Sequence, residues 1–245
     1  MGGSHLPPLL LALVAGLWVI WFIGVGQNND VITEAALVAF NLLGFWAISR
    51  WTRHLPAFLR GPLLGLGLGF LIIGIGYVLL LLGTMGMSAF GSAAELINLA
   101  GALIGMISAA FIPWAMERSN LAPEGHGSQI LIGSAVVGIL LTLGVVLVRP
   151  SEPLQVLFLF VSLFLATLFI WNALILAGGR IGRSLQILNY SLVSIGLSRV
   201  AFVLIPGSLS YRVTDFFFLL ALSLIVLGSF RQAPGGKGAA VSRQS

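Results

Sequence analysis

The chain of 245 residues is 58% hydrophobic and only 8% charged, with a formal net charge of +5. A soluble domain carries charge on about a quarter of its residues, so seven acids and twelve bases cannot clothe a water-facing surface around this much apolar side chain. The composition excludes a cytosolic enzyme, a disordered chain and a nucleic-acid-binding module, since the bases are scattered and form no patch for an anionic polymer.

Eight apolar runs follow one another at 8–26, 35–51, 61–83, 94–116, 129–148, 154–177, 185–206 and 215–230. Most approach the ~20 residues that cross a hydrocarbon core. The first lacks a positive leader and a small-residue cleavage site after Gly26, so it reads as a retained helix. The expected fold is an all-α, polytopic membrane bundle of about eight transmembrane helices over residues 1–231. A Gly-, Ala- and Ser-rich stretch, 232–245, reads as a disordered cytoplasmic tail.

Bases set the orientation. Arg50, Arg53, Arg60, Arg118, Arg180, Arg183, Arg231, Lys237 and Arg243 fall on one side, and only Arg149 and Arg212 on the other. The positive-inside bias puts both termini in the cytoplasm, and the expected location is the plasma (inner) membrane of a prokaryote.

The acids repeat with the runs. Glu34, Glu95, Glu152 and Asp215 open the even-numbered runs at intervals of about 60 residues, each preceded by Thr33, Ser92, Ser151 or Thr214. The pattern suggests four helical hairpins. As caps, the acids meet the positive ends of helices, with Ser92 and Glu95 as a capping box. As a ring of carboxylates, they would recruit cations at an outer vestibule.

Arg199 is the one base set deep within a run, several residues from either end. An intramembrane arginine faces the bundle interior with a partner. Asp215 is the expected partner, and Glu95 the alternative; the same arginine could instead hold an anion or a lipid head group. Asn41, Asn98, Asn172 and Asn189 also lie within runs, either as interhelical hydrogen-bonding groups or as the lining of a polar path. Gly61, Gly65 and Gly69, with Gly101 and Gly105, form small-residue stripes suited to close helix packing. Trp18, Trp21, Trp46, Trp51, Trp114 and Trp171 read mainly as interfacial anchors, and no aromatic cage is evident.

No catalytic constellation emerges, and no cofactor or metal is expected. With zero cysteines there is no thiolate site. His5, His54 and His126 share no ligand spacing. Glu117, Glu124 and His126 fall in one loop that reads as a solvated turn. The expectation is a non-catalytic membrane protein, a sensory or accessory subunit that binds partner proteins or an apolar ligand within the bilayer. The alternative is a transporter or channel for a small solute or ion, with a path lined by Arg199, the buried Asn residues and the outer acids. The expected partners are the lipid bilayer and other membrane proteins, with no nucleic acid.

Overall fold

The helices end within two residues of the apolar runs, but most begin about one to two turns earlier than the runs that define them. The computed structural model describes residues 8–53, 55–87, 90–120, 124–175 and 180–231. His5, His54 and the 232–245 tail lie outside them. The eight helices are α1 (Pro8–Gly26), α2 (Asp30–Thr52), α3 (Ala57–Thr84), α4 (Gly91–Arg118), α5 (His126–Val148), α6 (Pro153–Ile175), α7 (Arg180–Leu204) and α8 (Ser208–Arg231). No strand occurs among the described residues. All eight helices are long and apolar enough to cross a membrane.

Short turns make successive helices antiparallel neighbours. Asn28 (φ 52°) and Asn120 (φ 55°) take the left-handed conformation just beyond α1 and α4, a role asparagine can fill in place of glycine. Gly86 (φ 104°) ends α3 the same way, with the Met87 N–H donating to the Leu82 carbonyl at 3.1 Å. One end of the bundle thus gathers Asp30, Glu34, Glu95, Glu152 and Asp215, and is called the acidic end here. The opposite, basic end carries Arg50, Arg53, Arg60 and Arg118.

Consecutive helices all pack together, and α8 closes back on α2 and α1. The broadest interface is α3–α4. The α2–α3 and α6–α7 interfaces exceed α1–α2 and α5–α6, whereas α3–α4 and α7–α8 equal or exceed both, so packing follows the sequence pairs only in part. The core of the basic half is filled by Ile48, Leu59, Leu63, Ile112, Met116 and Leu168, all inaccessible to solvent. The outward faces are apolar as well, with Leu9, Phe22, Ile132, Leu140, Leu147 and Leu174 exposed. A contiguous surface of this kind suits lipid and is a liability in water.

The glycine stripes work at the α3–α4 seam. A Cβ at Gly69 would lie 2.7 Å from the Gly101 carbonyl oxygen and 3.1 Å from the Gly105 Cα, and a Cβ at Gly101 would meet the Gly69 carbonyl oxygen at 2.8 Å. Gly65 faces Ser108, and Gly76 faces Asn98. Gly61 has nothing near it and takes no part in the seam.

Candidate functional site

Earlier helix starts displace the acids from the caps. The N-cap of α2 is Asn29, whose Oδ1 accepts from the Ile32 N–H at 3.3 Å, and the first-turn acid is Asp30. Glu34 sits in the second turn and accepts instead from the Thr84 hydroxyl of α3 at 3.0 Å. The N-cap of α4 is Phe90 and no acid lies in its first turn, so positions 92 and 95 fall inside the helix rather than at its cap. Asp215 lies about two turns inside α8. Only Glu152 immediately precedes its helix.

The neighbouring hydroxyls are also engaged otherwise. Thr33 donates to the Asp30 carbonyl at 2.8 Å, and Ser151 to the Arg149 carbonyl at 3.2 Å. Thr214 donates across to the Ser198 carbonyl of α7 at 3.1 Å.

That last bond, with Ser194 Oγ donating to the Phe217 carbonyl at 2.9 Å, fixes how α7 meets α8. Ser198 and Thr214 face each other, so the residues that follow, Arg199 and Asp215, are turned about 100° from the contact. They lie within electrostatic reach but form no salt bridge within 4.0 Å. No carboxylate is at that distance from Arg199 among the described residues. The expected direct pair with Asp215 or Glu95 is therefore not made. The guanidinium instead lies over the Phe158 ring of α6, 4.9 Å from its centroid, a cation–π distance.

Arg199 borders a cavity of about 50 Å³ between α3, α4, α6, α7 and α8. The polar residues on its lining are Arg199, Asn98 and Ser162; the rest are apolar, among them Leu66, Phe158, Leu165 and Phe218. Tyr77 of α3 packs near Phe218, with centroids 6.1 Å apart, and lies within electrostatic reach of Arg199, Asp215 and Glu34. The structure thus gathers Arg199, Asn98 and, at the margin, Asp215 near one level of the bundle.

The other asparagines lie elsewhere. Asn41 is fully buried and its amide donates to the Leu37 carbonyl of its own helix at 2.8 Å. Asn172 is fully buried with neither polar atom hydrogen-bonded, and the Oδ1 atoms of Asn98 and Asn189 are likewise buried without a partner. None of the four makes an interhelical hydrogen bond among the described residues, contrary to the packing role expected of them.

Two further arrangements were not legible beforehand. Trp18 donates from Nε1 to Ser223 Oγ of α8 at 2.9 Å, and packs edge-on against Trp21, Phe40 and Phe216. Trp21 is only 3% exposed, so these tryptophans build an aromatic cluster joining α1, α2 and α8 rather than serving as plain interfacial anchors. Glu117, at the end of α4, accepts from the N–H groups of Gly125 (2.8 Å) and Gly127 (2.9 Å). It thereby covers the start of α5, where unpaired donors and the helix dipole favour an anion. Among the described residues no cluster of three or more His, Asp or Glu side chains could hold a metal.

Compared with known protein families, curated proteins and solved structures, the chain matches none.

Proposed function

We propose that this is a non-catalytic integral membrane protein, a sensory or accessory subunit that binds a ligand inside the bilayer at the Arg199 cavity. One observation carries the reading: a guanidinium borders a mainly apolar, membrane-level cavity with no carboxylate at salt-bridge distance among the described residues. An intramembrane cation is costly to maintain and marks a binding or pairing site. The eight helices lie in the membrane with the basic end and both termini cytoplasmic, which sets the cavity in the outer half. The four-hairpin organisation belongs to the same reading, as a division of sequence that packing follows only in part.

Transport of a small solute is the second reading, supported by Arg199 and Asn98 sharing one cavity. Against it, Leu59, Leu63, Ile112 and Met116 fill the basic half of the core. Partners in this reading are lipid and other membrane proteins.

Purification in mild detergent followed by native mass spectrometry tests the proposal. The expected result is a small ligand retained by the wild-type protein and lost from Arg199→Gln. Retention that ignores Arg199 would refute it, and Arg199-dependent flux in proteoliposomes would favour transport. Reporter fusions after Lys237 and within 27–34 should report opposite sides.

A further inference from the structure

The cavity changes character along the helix axis. Arg199 lies five residues before the end of α7, Phe158 five residues after the start of α6, and Asn98 seven after the start of α4. These positions are about 7 to 11 Å below the helix ends. Leu165 and Leu192, which line its other margin, are about 18 Å below them, near the middle of a hydrocarbon core roughly 30 Å thick. The polar margin thus faces the acidic end and the apolar margin the bilayer centre.

Its walls are unequally sealed. The α3–α4, α6–α7 and α7–α8 interfaces are broad; α3 and α8 do not approach closely but both pack on α2, and α4 and α6 touch over a small area. Helix α5 leaves α4 after its first turns and follows α6 in the acidic half. Its first turn packs at Gly127 against Trp114 and Glu117 of α4. Near its other end, Val145 and Val146 join a cluster with Leu159 and Leu163 of α6 and Val203 of α7. Helix α5 therefore crosses from α4 towards α7, away from the stretch of the α4–α6 seam where Asn98, Ala102, Phe158 and Ser162 line the cavity.

We infer that this seam is a lateral opening, and that the cavity takes the head of a long-chain carboxylic acid whose acyl chain lies between α4 and α6 and continues into the lipid. The inference rests on the ligand-binding reading above and names its ligand class. Arg199 is the one cation on the lining, with Asp215 within electrostatic reach beside it, and its planar fork matches a carboxylate with two parallel hydrogen bonds. The Asn98 amide is a further group that can bond the head. About 50 Å³ has room for a few water-sized groups. That admits a carboxylate and its first methylenes, but neither a whole chain nor the glycerol of a phospholipid. The rest of the chain must leave through a wall: the α3–α8 side is backed by α2, and α4 and α6 meet only over a small area.

The test is photolabelling of the full-length protein in phosphatidylcholine nanodiscs with palmitate carrying a mid-chain diazirine. Saturable labelling of α4 and α6 is expected, displaced by unlabelled palmitate and about 10-fold less well by hexadecanol, which lacks the charge. This comparison uses the wild-type protein, so a poorly folding variant cannot obscure it. Arg199→Gln should weaken binding about 10-fold or more, and Arg199→Lys should recover part of the loss. Ala102→Phe, which narrows the seam and leaves Arg199 in place, should slow association. Even labelling of all lipid-facing helices, or equal displacement by hexadecanol, overturns the inference. If lysophosphatidic acid binds in an Arg199-dependent way and palmitate does not, the ligand-binding reading stands and the carboxylic acid falls. If neither binds in that way, both fall.

Discussion

Replacing Gly69 by alanine adds one methyl group at the tightest backbone approach in the bundle. The new Cβ would stand 2.7 Å from the Gly101 carbonyl oxygen and 3.1 Å from the Gly105 nitrogen and Cα. All three contacts are main-chain atoms, so no rotamer change can relieve them, and α3 and α4 must move apart along their broadest interface. Overpacking of this sort costs about 1–3 kcal/mol. Gains run the other way, since alanine is favoured over glycine in a helix by up to about 1 kcal/mol. The net expectation is a loss of roughly 1–2 kcal/mol, after the propensity gain is set against the clash. Gly61→Ala, on the same helix, has the propensity gain and no clash, and should be neutral or slightly stabilising. Reversible unfolding of both variants in one mixed-micelle system measures the difference. Equal stability of the two would show that α3 and α4 do not approach as described.

Trp18→Phe removes the bond to Ser223 and should cost about 1 kcal/mol; Ser223→Ala added to it should cost little more, as read from thermal unfolding of the single and double variants. Glu117→Gln should lower thermal stability and reduce hydrogen-exchange protection at the Gly125 and Gly127 amides, because the neutral amide has one acceptor oxygen for two donors. For Arg199→Gln with Asp215→Asn, a double-mutant cycle should give a coupling below about 1 kcal/mol; about 3 kcal/mol or more would signal a buried contact pair.

Much of the fold was legible because lipid imposes a simple rule: each crossing must be apolar for about 20 residues and must satisfy its own backbone. Eight runs correspond to eight helices among the described residues. Their starts were less legible, because hydropathy marks the apolar stretch and not the hydrogen-bonded one. Asp30 to Thr33 precede the second run yet continue its helix, since Asn29 supplies the cap. Leu209 to Thr214 likewise form helix ahead of the last run. The same error moved the acids: counted from the run, Asp215 stands at a terminus, and counted from the helix it is two turns in. The glycine stripe was legible because a missing side chain has one main use at a helix crossing, although Gly61 shows that spacing alone overcounts.

The site was less legible, because it depends on rotation about helix axes, which one-dimensional patterns leave open. Arg199 and Asp215 lie at similar depth on adjacent helices, which makes them natural partners in sequence. The Thr214–Ser198 hydrogen bond fixes which faces meet, and those faces do not bring the two charges to contact distance. Tyr77 and Phe158 were missed for the same reason: an aromatic residue in an apolar run carries no signal until a charge is found beside it. What separates a binding arginine from a structural one is therefore the orientation of its neighbours rather than its depth. Among the described residues Arg199 has an aromatic face at 4.9 Å and no carboxylate within 4.0 Å, so its hydrogen-bonding fork is in no direct ion pair, although Asp215 lies within electrostatic reach. An anion reaching the cavity would then meet a donor that needs no partner displaced, and such preorganisation raises affinity without adding contacts.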